Sequence, residues 1–207
     1  MNRTVAGLLS IAVTISGAAF DSASATGHTR PPATRTAVFA GGCYWGTESV
    51  FGHIQGVKSV VAGFAVPAAM ADGSALPDGH KGYAEAARVV YDPAVVTYAQ
   101  LLQIFFLVAH DPTEVDRQGP DVGPQYRSVI FVDGDGERQA IRGYLDELRA
   151  SSAYARPIVT EIARLASFHP ADDQHFVARN PDNPYVVQYD RPRLAELRRR
   201  FPSLYRE

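Results

Sequence analysis

Short β-type runs alternate with segments of helical periodicity along most of the 207-residue chain, and this alternation limits the possible folds. The predicted strands span residues 36–40, 57–66, 83–92, 126–132 and 157–168. The predicted helices span residues 43–54, 97–109, 135–151, 172–180 and 191–205, the second beginning with a capping box at Thr97 and Gln100. Such alternation indicates an α/β or α+β fold with helices packed on a mixed sheet. Residues 110–124 are too rich in Asp, Gly and Pro for a helix and predict a loop.

The first 25 residues differ from the rest of the chain. A short positive region and an apolar run precede a small-x-small cleavage pattern that ends at Ala25. This pattern predicts a signal peptide at residues 1–25, a flexible linker at 26–35 and a folded domain at 36–207. We therefore expect export to the periplasm, or secretion, after cleavage near Ala25. A transmembrane anchor is the alternative, but Ser, Thr and Gly interrupt the apolar run, which is short for a bilayer.

The composition gives no support for nucleic-acid binding. The chain has 20 Lys and Arg against 22 Asp and Glu, so it lacks the basic field that attracts a phosphate backbone. Its apolar content of 46% is enough, at this length, to fill the core of one domain.

Cys43 is the only cysteine of the chain and lies in the stretch GGCYWG. It follows a predicted strand and begins a predicted helix, where unpaired N–H groups and the helix dipole would favour the nucleophilic thiolate. The glycines at 41 and 42 would allow a sharp turn. A lone cysteine in an exported protein is either a reactive thiol or a buried, inert one. Tyr44 and Trp45 beside two glycines favour a shallow apolar site next to the sulfur.

Four blocks of the sequence resemble the class A peptide methionine sulfoxide reductases, which are specific for the S epimer. GGCYWGTE resembles the GCFWG-x-E signature of that family, and GYAEAARVVYDP resembles its GHAEAV-R-V-x-x-DP block. HDP followed by RQGPDVGPQYRS is similar to its HDP and RQGxDxGxQYRS motifs, and FHPADDQH is similar to its FxxAEDYHQ segment. The resemblance covers about residues 36–190, and ordered blocks are far more specific than one motif.

The resemblance implies a fold and a catalytic domain. The expected fold is α+β, a two-layer sandwich with a mixed β-sheet, helices packed on it and a ferredoxin-like-type core. Residues 36–207 would form a domain of the methionine-S-sulfoxide reductase type.

The resemblance also implies the catalytic residues. Cys43 would attack the sulfoxide sulfur, release methionine and become a sulfenic acid. Glu85 would protonate or hydrogen-bond the sulfoxide oxygen, with Asp121 and Tyr126 on the polar side of the pocket. The chemistry itself needs a proton donor as the S–O bond weakens, and a carboxyl kept neutral by burial is suitable. Glu85 lies in the mostly apolar stretch AEAARVV, where such a carboxyl is expected.

Each of these polar residues also has an ordinary structural explanation. Glu85 could be a strand-edge carboxylate that points to water, Asp121 a turn residue, and Tyr126 a packing residue at the start of a strand. His110 and His175 could be metal ligands, but no third ligand lies at a usual spacing, so no metal site is expected.

Three aromatic residues are expected to bind the substrate. Tyr44 and Trp45 would form an apolar wall around its methyl group, and Phe64 would lie beside them. Tyr44 stands where the family usually has phenylalanine, and Tyr83 where it has histidine. Phe64 replaces a tyrosine whose hydroxyl helps to hold the sulfoxide oxygen, so one polar contact is expected to be missing. The loop at 67–81 also lacks the family's usual NPTY-containing segment.

The absence of a second cysteine predicts how Cys43 is regenerated. Many family members use a disulfide with C-terminal cysteines, whereas here an external thiol, thioredoxin-like or a dithiol, must reduce the sulfenic acid. No bound cofactor is expected. The expected partners are methionine sulfoxide in oxidised proteins and this reductant, with no nucleic acid and no metal, and we expect a monomer.

The leading hypothesis is an exported reductase that repairs oxidised methionines. Two alternatives stay open at this point. One is a weakened homologue that binds methionine sulfoxide or an oxidised peptide without turnover, as the change at Phe64 suggests. The other is an oxidant sensor in which peroxide oxidises Cys43 and the protein then changes partners.

Overall fold

Seven strands and five helices make up the part of the chain that the computed structural model describes, residues 34–70 and 82–207. The strands are β1 Arg35–Gly41, β2 Val57–Pro67, β3 Ala84–Tyr91, β4 Arg117–Gln118, β5 Asp121–Val122, β6 Ser128–Val132 and β7 Glu161–Pro170. The helices are α1 Tyr44–Gly52, α2 Tyr98–Ile104, α3 Asp135–Ala150, α4 Phe176–Arg179 and α5 Arg191–Arg200. The π-helical segments Phe105–Ala109 and Val186–Asp190 adjoin α2 and α5, and 3₁₀ turns lie at Ala68–Met70 and Pro124–Tyr126.

Five of these strands form one sheet in the order β1-β3-β2-β7-β6, and the sheet closes because β6 also pairs with β1. Four of the five pairings are antiparallel, whereas β6 and β7 are parallel. The parallel pair is connected through α3, since parallel neighbours need a long crossover. The short strands β4 and β5 form a separate antiparallel pair.

Alternate residues of β1 enter two different cores, because successive side chains of a strand point to opposite faces. Ala37 and Phe39 belong to a large cluster that includes helix residues, whereas Val38 and Ala40 belong to a smaller cluster. Four of the seven buried members of the smaller cluster are alanines, as the narrow interior of a five-stranded barrel requires. Burial on both faces explains why β1 reads as an unbroken apolar run.

Because side chains alternate along each strand, the candidate residues of β2 and β3 lie on the same face of the sheet. Glu85 shares its face of β3 with Ala87 and Val89, which belong to the large cluster. Phe64 lies directly opposite Glu85 in the pairing of β2 with β3. Helix α1, which begins just after Cys43, contacts β1, β2 and β3. The sheet therefore carries these residues toward the start of α1.

The predicted α+β fold, with a mixed sheet and packed helices, is confirmed. The capping box is also confirmed, because the Gln100 N–H donates to Thr97 Oγ1 at 3.2 Å and the Thr97 N–H donates to Gln100 Oε1 at 2.9 Å. The ferredoxin-like detail is not confirmed, since the strands close into a ring. The predicted signal peptide, most of the linker and most of the 67–81 loop lie outside the described residues. Within residues 34–70 and 82–207, no helix has the length and apolar character needed to cross a membrane.

The prediction that Tyr126 begins a strand is wrong. Pro124 starts a 3₁₀ turn that ends at Tyr126, and β6 begins two residues later at Ser128. Proline favours the first position of such a turn because its φ is already fixed near the required value. The preceding segment, expected to be a loop, contains the short pair β4 and β5.

Other boundaries also differ from the prediction, and the helix expected at 191–205 ends at Arg200. The last strand begins at Glu161 and not at 157, since the Val159 N–H donates to the Pro112 carbonyl at 2.8 Å, outside the sheet. The helix expected at 172–180 is confined to Phe176–Arg179, because His175 has a φ of +57°, which a right-handed helix does not allow.

We expect Phe39→Ala to lower the free energy of unfolding by about 3–5 kcal/mol, because it deletes a fully buried ring. Phe39 stacks on Phe51 and Phe105, with ring centroids 4.9 and 5.1 Å away, so the cavity would lie between β1 and the helical layer. Urea unfolding would measure the loss. Val115→Ala, at a residue 65% exposed, is the control and should change the value by less than about 0.5 kcal/mol. Similar losses in both variants would contradict this account of the core.

Candidate active site

The turn between β1 and α1 depends on Gly42. Its φ of +90° is a conformation that residues with a side chain rarely adopt. A Cβ at this position would also lie 2.5 Å from two carbons of the Gln118 side chain. The predicted sharp turn is therefore present, and it places Cys43 immediately before the first residue of α1.

The Cys43 thiol is buried, with 7% of the residue exposed, and the charged groups that act on it are acidic. Burial raises the pKa of Cys43 far above its ordinary value, and the negative charge of Glu85 raises it further. A hydrogen bond from the Trp45 N–H lowers the pKa, while Asp121 and Asp190 also raise it. The prediction that the helix start favours the thiolate is therefore wrong for the resting protein. Desolvation and acidic neighbours outweigh the helix dipole, and the thiol is neutral.

Among the acidic residues, Glu85 has the largest effect on the pKa of the Cys43 thiol. It is only 8% exposed, and its Oε2 accepts a hydrogen bond of 3.1 Å from the Tyr44 N–H. Burial raises the pKa of Glu85 to about 7; the Tyr44 hydrogen bond opposes this shift, and the charges of Asp121 and Asp173 add to it. The prediction of a buried acid with a raised pKa is confirmed. The strand-edge alternative is wrong, because β3 has a paired strand on each side.

Asp121 and Tyr126 lie in the same electrostatic neighbourhood. Asp121, in β5, accepts a hydrogen bond from the Tyr185 hydroxyl. Burial raises the pKa of Tyr126 to about 12, helped by the charges of Glu85 and Asp121. Burial and the hydrogen bond to Asp121 also raise the pKa of Tyr185. The structure thus brings the four predicted catalytic residues together and adds a fifth, Tyr185, with both tyrosine hydroxyls protonated at neutral pH.

The predicted substrate-binding residues form one aromatic surface. Tyr44 meets Phe64 edge-on with ring centroids 5.6 Å apart, and Trp45 stacks on Phe176 at 3.6 Å. Asp173 holds the two rings of α1, accepting from the Tyr44 hydroxyl at 2.8 Å and from Trp45 Nε1 at 2.6 Å. The three predicted aromatics are therefore linked, Tyr44 to Phe64 by the ring contact and Tyr44 to Trp45 through Asp173.

The two histidines considered as metal ligands make other contacts. His110 is buried, with Nδ1 donating to the Phe105 carbonyl at 2.9 Å and Nε2 bonded to the Ser128 hydroxyl at 2.7 Å. Burial lowers the pKa of His110 to about 4, so its ring is neutral. His175 Nδ1 lies 3.1 Å from Glu48 Oε1. Across residues 34–70 and 82–207, no group of three or more His, Cys, Asp or Glu side chains could hold a metal ion.

Three residues of this site were not predicted from the sequence. Asp173 lies within the block FHPADDQH, so the sequence indicated that its segment matters but not what Asp173 contacts. Phe176 follows that block directly, and Tyr185 lies beyond all four family-like blocks. Asp173 and Phe176 contact residues of α1 that lie more than a hundred positions earlier in the sequence, and Tyr185 contacts Asp121. No local sequence pattern encodes such pairs.

This arrangement can supply a nucleophile and a proton at one place. Cys43 has a neutral thiol, and Glu85, with a pKa of about 7, is partly protonated at neutral pH. A thiol and a carboxyl in one buried pocket can give a proton to an acceptor and a sulfur electron pair to an electrophile without adding net buried charge. An electrophilic atom bonded to a basic oxygen would match both groups.

Comparison with known proteins agrees with this chemistry. The sequence profile described as peptide methionine sulfoxide reductase matches residues 35–203. The peptide methionine sulfoxide reductase MsrA 2 of Mesorhizobium japonicum is 45% identical over 186 residues, which is 85% of this chain and 92% of that protein. Among solved structures, reduced Mxr1 of Saccharomyces cerevisiae has a TM-score of 0.62 at 28% identity, over 74% of this chain and 90% of that one. Methionine sulfoxide reductase A of Corynebacterium diphtheriae has a TM-score of 0.59 at 32% identity, over 75% of this chain and 78% of that one. Because the profile spans most of the sequence and the relatives match along nearly their full length, the chain belongs to the peptide methionine sulfoxide reductase family.

Proposed function

We propose that this protein reduces the S epimer of methionine sulfoxide, free or in proteins, to methionine, with Cys43 as the nucleophile. Membership of the family supports the reaction class. The observation that carries the proposal is the buried pair of Cys43 and Glu85, held at the start of α1 by the 3.1 Å bond from the Tyr44 N–H. That pair provides the two groups that the reduction of a sulfoxide requires, an electron-rich sulfur and a proton donor.

In the first step, the Cys43 sulfur attacks the sulfoxide sulfur while Glu85 gives its proton to the oxygen. The sulfoxide sulfur is partly positive, so a bound substrate offsets the acidic charge that keeps the Cys43 thiol neutral. The S–O bond of the substrate then breaks and the oxygen forms a bond to the Cys43 sulfur as the S–S bond between the two sulfurs breaks. The substrate sulfur thereby gains two electrons and leaves as methionine, and Cys43 is oxidised to a sulfenic acid. The thiol proton replaces the one that Glu85 gave, so the carboxyl is restored.

The polar side of the pocket would hold the sulfoxide oxygen before the bond breaks. Tyr126 keeps its hydroxyl proton, since its pKa is about 12, and can donate a second hydrogen bond. Asp121 would act on the pocket through its charge and through Tyr185, whose hydroxyl donates to it. These donors would stabilise charge on the oxygen where it develops.

Regeneration of Cys43 would need two equivalents of an external thiol. The first thiol condenses with the sulfenic acid to give a mixed disulfide and water, and the second releases the Cys43 thiol and an external disulfide. The single cysteine of the chain supports this one-cysteine cycle. A thioredoxin-like protein or a dithiol is the proposed reductant, acting on a monomer.

Export of the protein is a separate proposal. Its support is the positive, apolar and small-residue pattern that ends at Ala25. The signal peptide would be removed and residues 26–207 would act in the periplasm or outside the cell. Sequencing the N terminus of the exported protein tests this, and an uncleaved product would contradict it.

A weakened, substrate-binding homologue is the second candidate, and one residue favours it. Phe64 lies opposite Glu85 and carries no hydroxyl, so the polar side of the pocket has one donor fewer than in most of the family. The proposal of a reductase requires that Glu85 and Tyr126 are sufficient. Turnover decides between the two candidates.

We expect the purified protein to reduce methionine (S)-sulfoxide with dithiothreitol, to leave the R epimer unchanged, and to lose turnover in Cys43→Ser. The serine hydroxyl is a far poorer nucleophile toward sulfur and cannot form the sulfenic acid. Chromatography of the methionine formed measures both epimers. Binding of the S epimer without turnover in the wild type would support the weakened homologue instead.

We expect the kcat/KM of the wild type to fall above about pH 7, approaching about tenfold per pH unit, because Glu85 has a pKa of about 7 and must carry the proton that it gives to the sulfoxide oxygen. Below that pKa both the Glu85 carboxyl and the Cys43 thiol are protonated, which is the state from which the reaction starts. Glu85→Gln should lower kcat by about 10²–10⁴-fold and remove this limb from the profile. A wild-type profile without a limb near pH 7, or a limb kept in Glu85→Gln, would contradict the assignment.

We expect Phe64→Tyr to raise kcat/KM by about fivefold, the effect of about 1 kcal/mol from one added hydrogen bond to the sulfoxide oxygen. Steady-state rates with methionine (S)-sulfoxide measure the gain. Phe64→Leu is the control and should give no gain, since it replaces the aromatic ring by an aliphatic side chain and adds no hydroxyl. Equal rates in wild type and Phe64→Tyr would mean that the oxygen is already fully bonded.

A further inference from the structure

Asp173 binds two consecutive side chains of α1 with its two carboxylate oxygens. Oδ1 accepts from the Tyr44 hydroxyl at 2.8 Å, and Oδ2 accepts from Trp45 Nε1 at 2.6 Å. Both donors come from the residues that directly follow Cys43. We call this group, Asp173 with Tyr44 and Trp45, the aromatic clamp.

The segment that carries Asp173 is firmly attached to the rest of the fold. The neighbouring Gln174 side chain accepts from the Ala62 N–H at 2.9 Å and donates to the Ala62 carbonyl of β2 at 2.7 Å. On the next residue, the His175 N–H donates to the buried carboxylate of Glu48 in α1, at 2.8 Å. Hydrogen bonds of its two neighbours therefore anchor the Asp173 segment to β2 and α1, so the position of the Asp173 carboxylate relative to the two rings is fixed.

The two rings also make ring-to-ring contacts. Trp45 stacks on Phe176 and meets Tyr185 edge-on at 5.7 Å, and Tyr44 meets Phe64 edge-on. Such contacts have broad energy minima and permit a ring to slide or tilt, whereas a hydrogen bond at its polar end fixes both position and orientation. Loss of Asp173 would leave both rings packed but free to shift.

We propose that Asp173 is a positioning residue that sets the size of the alkyl group accepted on the sulfoxide sulfur. The proposal rests on the function proposed above, in which Tyr44 and Trp45 border the methyl group of the substrate. A wall held at two points cannot retreat from a larger group, so an ethyl sulfoxide is a poorer substrate than a methyl sulfoxide. The Tyr44 hydroxyl, absent where the family has phenylalanine, supplies one of the two bonds, so the clamp is a property of this chain.

The test compares methionine (S)-sulfoxide with ethionine (S)-sulfoxide, which differ by one methylene. One methylene changes kcat/KM by about 10–200-fold in a rigid pocket, and we expect wild-type discrimination in that range. Asp173→Ala should reduce the methyl-to-ethyl ratio of kcat/KM by at least about fivefold, because the wall can then yield. A general loss of folding or of catalysis would lower both rates and leave the ratio unchanged.

Two further variants and one control variant separate the clamp from the charge of Asp173. Asp173→Asn removes the charge but keeps two hydrogen bonds: the amide oxygen can accept from Trp45 Nε1, and the amide NH₂ can donate to the Tyr44 hydroxyl oxygen. The ratio should therefore stay near the wild-type value. Tyr44→Phe removes one of the two bonds and keeps the ring, so the ratio should fall by less than in Asp173→Ala. Asp172→Ala, at the exposed neighbouring acid, should leave the ratio unchanged.

The outcomes distinguish this inference from the proposed function. If the wild type turns over neither sulfoxide, the proposed function fails. If it turns over methionine sulfoxide but Asp173→Ala and Tyr44→Phe keep the wild-type ratio, the clamp does not determine specificity and the inference is overturned. Equal shifts in Asp173→Ala and Asp173→Asn would also overturn it, because they would assign the effect to charge.

Discussion

The hydrogen bond from the Tyr44 N–H to Glu85 joins the start of α1 to an inner strand of the closed sheet, and the geometry of the site depends on it. The first N–H groups of a helix have no partners inside the helix, and an acid is favourable there. The side chain of Cys43 makes no capping bond, so this carboxylate from β3 serves in its place. One interaction thus satisfies the helix start and fixes an acid beside the nucleophile. The positive φ of Gly42 makes that approach possible.

Burial and acidic neighbours give Cys43 a neutral resting thiol, and this bears on the choice between reductase and oxidant sensor. Sensor cysteines are exposed and have a low pKa, because the thiolate is the form that peroxide oxidises. Cys43 has the opposite properties, with a raised pKa and little exposure. Only a bound group with positive character at the sulfur would favour the thiolate, so reactivity is tied to substrate binding. This selectivity suits a reductase and disfavours the sensor.

Local patterns predicted the elements and several site residues, but not the contacts between distant segments. The capping box at Thr97, the strand β1 and the apolar surroundings of Glu85 could all be predicted, because neighbours in sequence determine them. The raised pKa of Cys43 could not be predicted in this way, since it depends on burial and on Glu85, which lies 42 residues later in the sequence. The link between Tyr185 and Asp121 was likewise missed, because neither local sequence indicates the other.

Two departures from the family's usual pattern are connected through the aromatic surface. Phe64 removes a hydroxyl from the oxygen side of the pocket, and Tyr44 adds one at the neighbouring position. The added hydroxyl does not replace the lost one, since it donates to Asp173. In the proposed active site, the sulfoxide oxygen would therefore have fewer hydrogen-bond donors and the methyl group a more tightly held wall. Recognition would shift from polar contacts toward shape, and the proton from Glu85 would be the main polar contribution to the reaction.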